Sequence, residues 1–401
     1  MRVAYVCTDP GVPVHGRKGA SVHVQAVVRE LRRRGAEVHL VAARVGGPVP
    51  AGLAGVRVHP LPRVSGPPGA ERERSAQESA EAAGEVLAAI HAEAPLDLVY
   101  ERYALWSADA LAWAAGEHVP AVLEVNAPLI DEQAEHRVLV DRDRAEEVVA
   151  RAAAHAASVV CVSGPVEAWV RDRLPDPSST ATRVHVVPNG VDTTTVRPPV
   201  GGRDRPAGQP LTIGFVGTLK PWHGVATLLD AVARLDRPDG TQVRVVGDGP
   251  QADALARLAS ELGISDRVDL VGAVDPSRMP AELARMDLAV APYPDLPDFY
   301  FSPLKIYEYL AAGLPALASR VGPVPQLLDH GATGVLVRPD DPAGLADALA
   351  ALRDDPARRQ ALGRRARQVA RERHDWSTVL DTIVATLPRS VGDALGGRQV
   401  A

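Results

Sequence analysis

The chain has 401 residues, 46% hydrophobic and 23% charged, with a formal net charge of −6. This is ordinary globular composition at a length that suits two cores, and the acidic balance argues against a nucleic-acid-binding surface. Cys7 and Cys161 lie in apolar runs and read as buried free thiols rather than a disulfide or catalytic pair, no signal peptide precedes the first strand, and no apolar run reaches the ~18–20 residues that span a bilayer, so a cytoplasmic protein is expected.

Short apolar runs alternate with helical periods from the first residue, the pattern of parallel strand–helix–strand units. In the first half the runs predict strands at 2–7, 37–42, 56–60, 97–101, 120–125, 157–162 and 183–187. Helical periods fall at Val22–Arg34, Ala70–Ala92, Ala104–Ala115 and Ala134–Ala156. Residues 194–210 carry four Pro and three Gly without a period and read as a linker. A second alternation follows, with strands expected at 211–216, 241–247, 267–272, 287–291, 315–318 and 334–337, and helices at 342–353, 356–373 and 376–387 before a tail expected to fray. The fold expected is thus α/β, with two Rossmann-like doubly wound domains: 1–193, then the linker 194–210, then 211–375. A terminal segment 376–401 is expected to return to the first domain. In such sheets ligands bind outside the carboxyl ends of the strands, which places the expected site in a cleft between the domains.

The loops at those ends carry the chemistry. After the first strand comes Gly16-Arg-Lys18-Gly19-Ala-Ser-Val-His23, where two glycines allow close backbone approach and the following helix offers its N-terminus to a phosphate or an acceptor. It is not the G-x-G-x-x-G dinucleotide fingerprint. His23 reads equally as a ligand or as a polar residue of the first helical turn. Asn126 closes the 120–125 strand and could meet a sugar or only bond its own turn. Glu101-Arg102-Tyr103 closes the preceding strand and could be no more than an ion pair, and Val187-Pro-Asn-Gly-Val-Asp192 is first of all a turn.

The second half opens with Ile213-Gly-Phe-Val-Gly217-Thr218-Leu-Lys220-Pro-Trp-His223-Gly224, a strand, a glycine and a cation before a helix, suited to a diphosphate, with Lys220 or His223 supplying charge. Gly247 opens the tight turn Gly-Asp-Gly-Pro250. In Ser302-Pro-Leu-Lys305-Ile-Tyr-Glu308, Ser302 suits an N-cap and Pro303 the first helical position, while Lys305 and Glu308 share a face. One cation for a phosphate and one carboxylate for a sugar hydroxyl suit a nucleotide sugar. Only three lysines occur, Lys18, Lys220 and Lys305, and only three phenylalanines, Phe215, Phe299 and Phe301; these loops hold all but Phe215, which sits in the strand beside them. Chance placement and a local requirement both account for this.

Taken in order, these segments resemble the retaining GT-B glycosyltransferases of family GT4, over nearly the whole chain and most densely from 211 to 340. The resemblance implies a nucleotide-diphosphate sugar held by the C-terminal domain, an acceptor held by the N-terminal one, and transfer with retention at the anomeric carbon. It implies that Glu308 binds the donor ribose as the second Glu of an E-x7-E motif, and that the backbone at Ser302, Pro303 and Leu304 meets the diphosphate. It also places Asn126 beside the sugar and Gly16 and Gly19 near phosphate. Two departures stand out. Tyr300 occupies the place of the motif's first Glu, with Asp298 nearby as a stand-in, and Thr218 and His223 occupy the usual Arg and Lys of the phosphate cradle. Lys305 and Lys220 are therefore expected to stabilise the leaving diphosphate, with Gly217, Thr218, His223 and Gly247 around it, and no metal or other cofactor is expected. The donor expected is a nucleotide sugar, UDP-sugars ahead of GDP-sugars, and the acceptor a small molecule, a glycan or a lipid-linked glycan, with peripheral membrane contact at most. The alternatives are a catalytically silent partner subunit and a nucleotide-sugar epimerase.

Overall fold

The computed structural model describes residues 1–174, 183–202, 209–236, 240–296, 299–300 and 302–396. The chain divides into two compact units. The first comprises Met1–Pro188, the short segment Tyr300–Ser302 and the chain from Trp376 onward; the second comprises Asn189–Phe299 and Pro303–Asp375.

The first unit is built on a seven-stranded sheet of β1 (Arg2–Cys7), β2 (Glu37–Ala42), β3 (Arg57–Pro60), β4 (Leu98–Arg102), β5 (Ala121–Val125), β6 (Ser158–Cys161) and β7 (Val184–Val186). All neighbours pair parallel, in the order β3-β2-β1-β4-β5-β6-β7. The inner strands are buried on both faces, which is why they read as continuous apolar runs rather than alternating ones. One face packs on the helices Ala70–Glu93, Asp109–Gly116 and Arg142–His155; the other packs on Gly19–Arg33 and Trp376–Val384.

The second unit holds β8 (Leu211–Val216), β9 (Thr241–Val246), β10 (Val268–Gly272), β11 (Leu288–Ala291), β12 (Ala316–Ser319) and β13 (Gly334–Val337), again all parallel, in the order β10-β9-β8-β11-β12-β13. In each sheet the strand order reverses beside the first strand, between β1 and β4 and between β8 and β11. Those are the switch points at which open α/β sheets leave room for a ligand.

Four local expectations need correction. The Ala-rich period at 134–156 forms two helices, Leu129–His136 and Arg142–His155. The break is made from outside, because the buried Glu73 carboxylate accepts from the amides of Val140 and Asp141 (2.8 and 3.0 Å), and Asp141 then caps the second helix. The helix expected from Ala104 starts at Asp109. The helix expected to be capped by Ser302 runs Leu304–Ala311 with Pro303 itself at the cap position. Finally, the tail forms a helix, Arg389–Gly396, because Val391 and Leu395 are buried against the first unit's core. Of the stretch read as a linker, Thr194 and Thr195 fold back onto the Asp192 carboxylate, and the Arg367 guanidinium donates to Thr193 O and Val196 O (2.8 and 2.9 Å).

Candidate functional site

The second unit gathers its polar groups at the β8/β11 switch point. The strand β8 ends in Gly217 at φ +142°, a conformation that disfavours side chains, and a Cβ there would stand 3.0 Å from Lys305 Nζ. Lys305 lies in the first turn of the helix that follows β11. Its ammonium is buried, has no hydrogen-bond partner, and sits 4.3 Å from the Phe215 ring centroid and 5.2 Å from that of Tyr293. A buried charge without a hydrogen-bond partner is costly, even beside ring faces. Burial accordingly pushes the Lys305 ammonium down to about 7, although the nearby Glu308 carboxylate opposes the shift. Burial likewise pushes Glu308 up to about 7 against the pull of Lys305. The helix is pinned from below, since Tyr309 Oη accepts from the Val216 amide (2.9 Å). Its own N-terminus has no side-chain cap, which leaves the first amides outside the helical ladder.

Glycines interlock the loops around this cation. A Cβ on Gly247 (φ +145°) would stand 1.9 Å from Gly217 O, and one on Gly224 (φ +64°) 1.8 Å from Pro292 O. The turn Gly247–Gly249 is tied to the β8 loop through Leu219 N to Asp248 O (3.0 Å). Thr218 is exposed, and its carbonyl accepts from His223 Nδ1. That bond makes the Nδ1–H tautomer the one present. Burial, together with the charges of Lys305 and Lys220, pushes His223 down to about 4. Of the two candidates for positive charge, Lys220 and His223, the imidazole is thus disfavoured: in this setting it is neutral near pH 7, which leaves Lys220 and, in part, Lys305 to carry the charge. Lys220 Nζ stands 5.4 Å from the Trp222 ring centroid.

The structure does not bring Tyr300 into this group. Tyr300 belongs to the first unit, where its phenol donates to the Glu132 carboxylate and its carbonyl accepts from Ser163 Oγ (2.7 Å). Ser302 goes with it. Asp298 and Phe301 lie outside the described residues. Sequence reasoning missed Tyr293 and Tyr309; an aromatic two residues after β11 was the available signal for the first.

In the first unit, Gly16 is held by its surroundings. Its amide donates to Pro13 O (2.7 Å), Gln25 Nε2 donates to its carbonyl (2.8 Å), and a Cβ would stand 2.6 Å from Pro13 Cγ. Lys18 and Gly19 are exposed where the helix Gly19–Arg33 begins. Of the two readings of His23, ligand or polar residue of the first helical turn, the structure supports neither loop ligand nor surface position: it is an interior residue of the helix, with Nε2 2.9 Å from both Glu124 oxygens and the Trp376 ring edge-on at 4.9 Å. Asn126 follows β5, partly exposed, and its amide nitrogen has no partner. At the end of the first helix, Arg32 donates to Gly52 O (2.6 Å) and Arg34, just past it, to Asp381 (2.7 Å), both within the unit. Among the described residues no helix is long and apolar enough to cross a membrane.

Residues 17–195 match the model of "Glycosyltransferase Family 4", and residues 210–355 that of "Glycosyl transferases group 1". A D-inositol 3-phosphate glycosyltransferase of Nocardia farcinica is 32% identical over 390 residues, covering 87% of this chain and 80% of that protein. The chain belongs to this glycosyltransferase family. A glycogen synthase of Mycobacterium tuberculosis is 35% identical over 199 residues, so that the match spans 49% of the chain and only 46% of that relative's length. Among solved structures, a sucrose-phosphate synthase of Thermosynechococcus elongatus superposes with a TM-score of 0.71 at 20% identity, covering 96% of this chain and 97% of that one. The Anabaena protein HepE, solved with UDP-glucose, superposes with 0.67 at 19% identity, covering 96% and 99%. These neighbours share the GT-B fold, whose two parallel α/β domains are the two units described above.

Proposed function

We propose that this family member transfers a sugar from a nucleotide-diphosphate donor, held by the second unit, to an acceptor hydroxyl. The observation that carries the reading is the buried, unpartnered Lys305 ammonium beside Gly217, at the uncapped start of a helix. Such a cation lacks only an anion, and a diphosphate supplies one. In the step proposed, the bond from the anomeric carbon to the diphosphate oxygen breaks and the bond to the acceptor oxygen forms on the same face, with retention. The acceptor's proton passes to the leaving diphosphate. Lys305 and Lys220, with the backbone amide at Leu304, stabilise the charge that develops on the leaving group, so no metal is required. Glu308 takes the ribose hydroxyls, Gly247 lets the neighbouring turn approach, and Asn126 stands on the acceptor side.

Relatives whose names specify a donor include GDP-mannose-dependent enzymes, while the HepE structures hold UDP. We place UDP-sugars first, in a cytoplasmic enzyme with at most peripheral membrane contact. Calorimetric titration with UDP, GDP, ADP and dTDP, with magnesium and again with EDTA, tests the reading. One diphosphate should bind, unchanged by EDTA and abolished in Lys305→Met; failure of all four overturns it. A silent subunit is the second reading, favoured by Tyr300 standing on Glu132 where a donor-binding carboxylate would be expected. Donor binding without turnover on any acceptor would select it. Release of nucleoside diphosphate or epimerised sugar without acceptor would select an epimerase.

A further inference from the structure

The first unit contains a cavity of about 570 Å³ at the carboxyl ends of β1 and β4, within the range of small-molecule sites. Its chemistry is one-sided. Leu105, Trp106 and Leu129 give it an apolar wall. Each of its three carboxylates is already engaged: Asp9 accepts from Gly11 N (2.7 Å), Glu73 from two backbone amides, and Glu132 from the Tyr300 phenol. Its three guanidiniums are exposed and barely committed. Arg72 reaches Gly66 O only at 3.5 Å, Arg137 reaches Gln133 Oε1 at 3.4 Å, and the Arg44 side chain makes no bond among the described residues. Thr8, 3% exposed, is among the lining residues, and its buried hydroxyl has no hydrogen-bond partner. A buried hydroxyl without a partner is normally completed by a ligand or a water.

Resting on the transferase reading, we propose that this cavity selects an acceptor with a compact apolar body and an anionic group, carboxylate or phosphate. The apolar body lies against Trp106, a hydroxyl or other polar group meets Thr8 Oγ1, and the anion is held at the rim by Arg44, Arg72 and Arg137. The enclosed volume suits a molecule of one or two rings rather than a long lipid chain.

The test uses two fluorescent probes of similar shape, the anionic 8-anilinonaphthalene-1-sulfonate and the neutral N-phenyl-1-naphthylamine, with the full chain. The sulfonate should bind about tenfold more tightly. The combined variant Arg44→Ala/Arg72→Ala/Arg137→Ala should remove that preference while leaving the neutral probe's affinity and the melting temperature unchanged. Thr8→Val should weaken both probes less than threefold, since neither places a hydroxyl there. Equal affinity for the two probes, or a preference that survives the triple substitution, overturns the proposal. Arginine-dependent sedimentation with phosphatidylglycerol vesicles in the absence of probe discrimination also overturns it, because the anion would then be a membrane surface. Probe discrimination in a protein that binds no nucleoside diphosphate would sink the transferase reading and leave the cavity's anion preference standing.

Discussion

His23 Nε2 stands 2.9 Å from both carboxylate oxygens of Glu124, a residue 101 positions later, and both side chains are buried. The pair ties the first helix to β5, and Trp376 closes over the imidazole edge-on. Removing one partner strands the other in a dry core, so Glu124→Ala should lower the unfolding free energy by about 3–5 kcal/mol, and His23→Leu/Glu124→Leu by clearly less. The acid dependence follows from the carboxylate. Burial pushes Glu124 up, but His23, Arg102 and Tyr100 outweigh it and hold the group below its usual range. A depressed folded value gives stability that is present above the unfolded value of about 4.3 and is lost as pH falls through the folded one. Urea melts from pH 7 down to pH 3 should therefore lose less stability in Glu124→Gln than in the wild type.

Lys305 predicts the same pH sense in a more alkaline window. Its folded value of about 7 lies below the roughly 10.4 of an unfolded lysine, so between those limits the unfolded chain holds more protons and stability rises with pH. Lys305→Met should remove that slope. A bound diphosphate favours the charged form, so above pH 7 binding should take up a proton and affinity should fall, at most tenfold per pH unit. Titrations of UDP in Tris and in HEPES at pH 8 should differ in apparent enthalpy for the wild type and agree for any residual binding in Lys305→Met. In turnover, Lys305→Ala should lower kcat/KM roughly 30- to 1,000-fold, the loss of about 2–4 kcal/mol of charge stabilisation.

The inner strands among the described residues were legible because a strand buried on both faces is an apolar run whatever surrounds it. The cation at the second switch point was legible too, since lysine is so rare here that Lys305 beside a helix start stands out. What the sequence hides is action at a distance. The break in the 134–156 period is made by Glu73, and the neutrality of His223 comes from burial and from two lysines whose proximity only the fold creates. The first unit's cavity is lined from five stretches between Thr8 and Val138, and the residues singled out there, Gly16, Lys18, Gly19 and Asn126, do not line it.

Gly247 and Gly263 separate crowding from backbone strain. Both have positive φ, but a Cβ on Gly247 would stand 1.9 Å from the Gly217 carbonyl, whereas one on Gly263 (φ +67°) meets nothing within 4 Å. Gly263→Ala should cost about 1–2 kcal/mol, the left-handed penalty alone, with UDP affinity unchanged. Gly247→Ala must also push the β8 loop away, and should cost more stability and at least tenfold in UDP affinity. Equal effects of the two on UDP binding would detach this turn from the donor site.

Tyr300 offers the sharpest division between the two units. The resemblance to family GT4 leads one to expect a donor-binding carboxylate at its place in the chain, yet its phenol donates to Glu132 on the wall of the first unit's cavity. If that bond is its role, Tyr300→Phe should leave UDP affinity within about twofold. The same substitution removes the hydrogen bond that engages the Glu132 carboxylate and leaves its negative charge free to act on the arginine rim. The anionic naphthalene probe should then bind about three- to tenfold more weakly, in line with the loss of one hydrogen bond to a charged group, and the neutral probe should be unaffected. Tyr300→Glu sets a second carboxylate against Glu132 and should weaken the anionic probe further, without restoring any donor affinity. A Tyr300→Phe protein that loses more than tenfold in UDP affinity and none for the anionic probe would return this residue to the donor site.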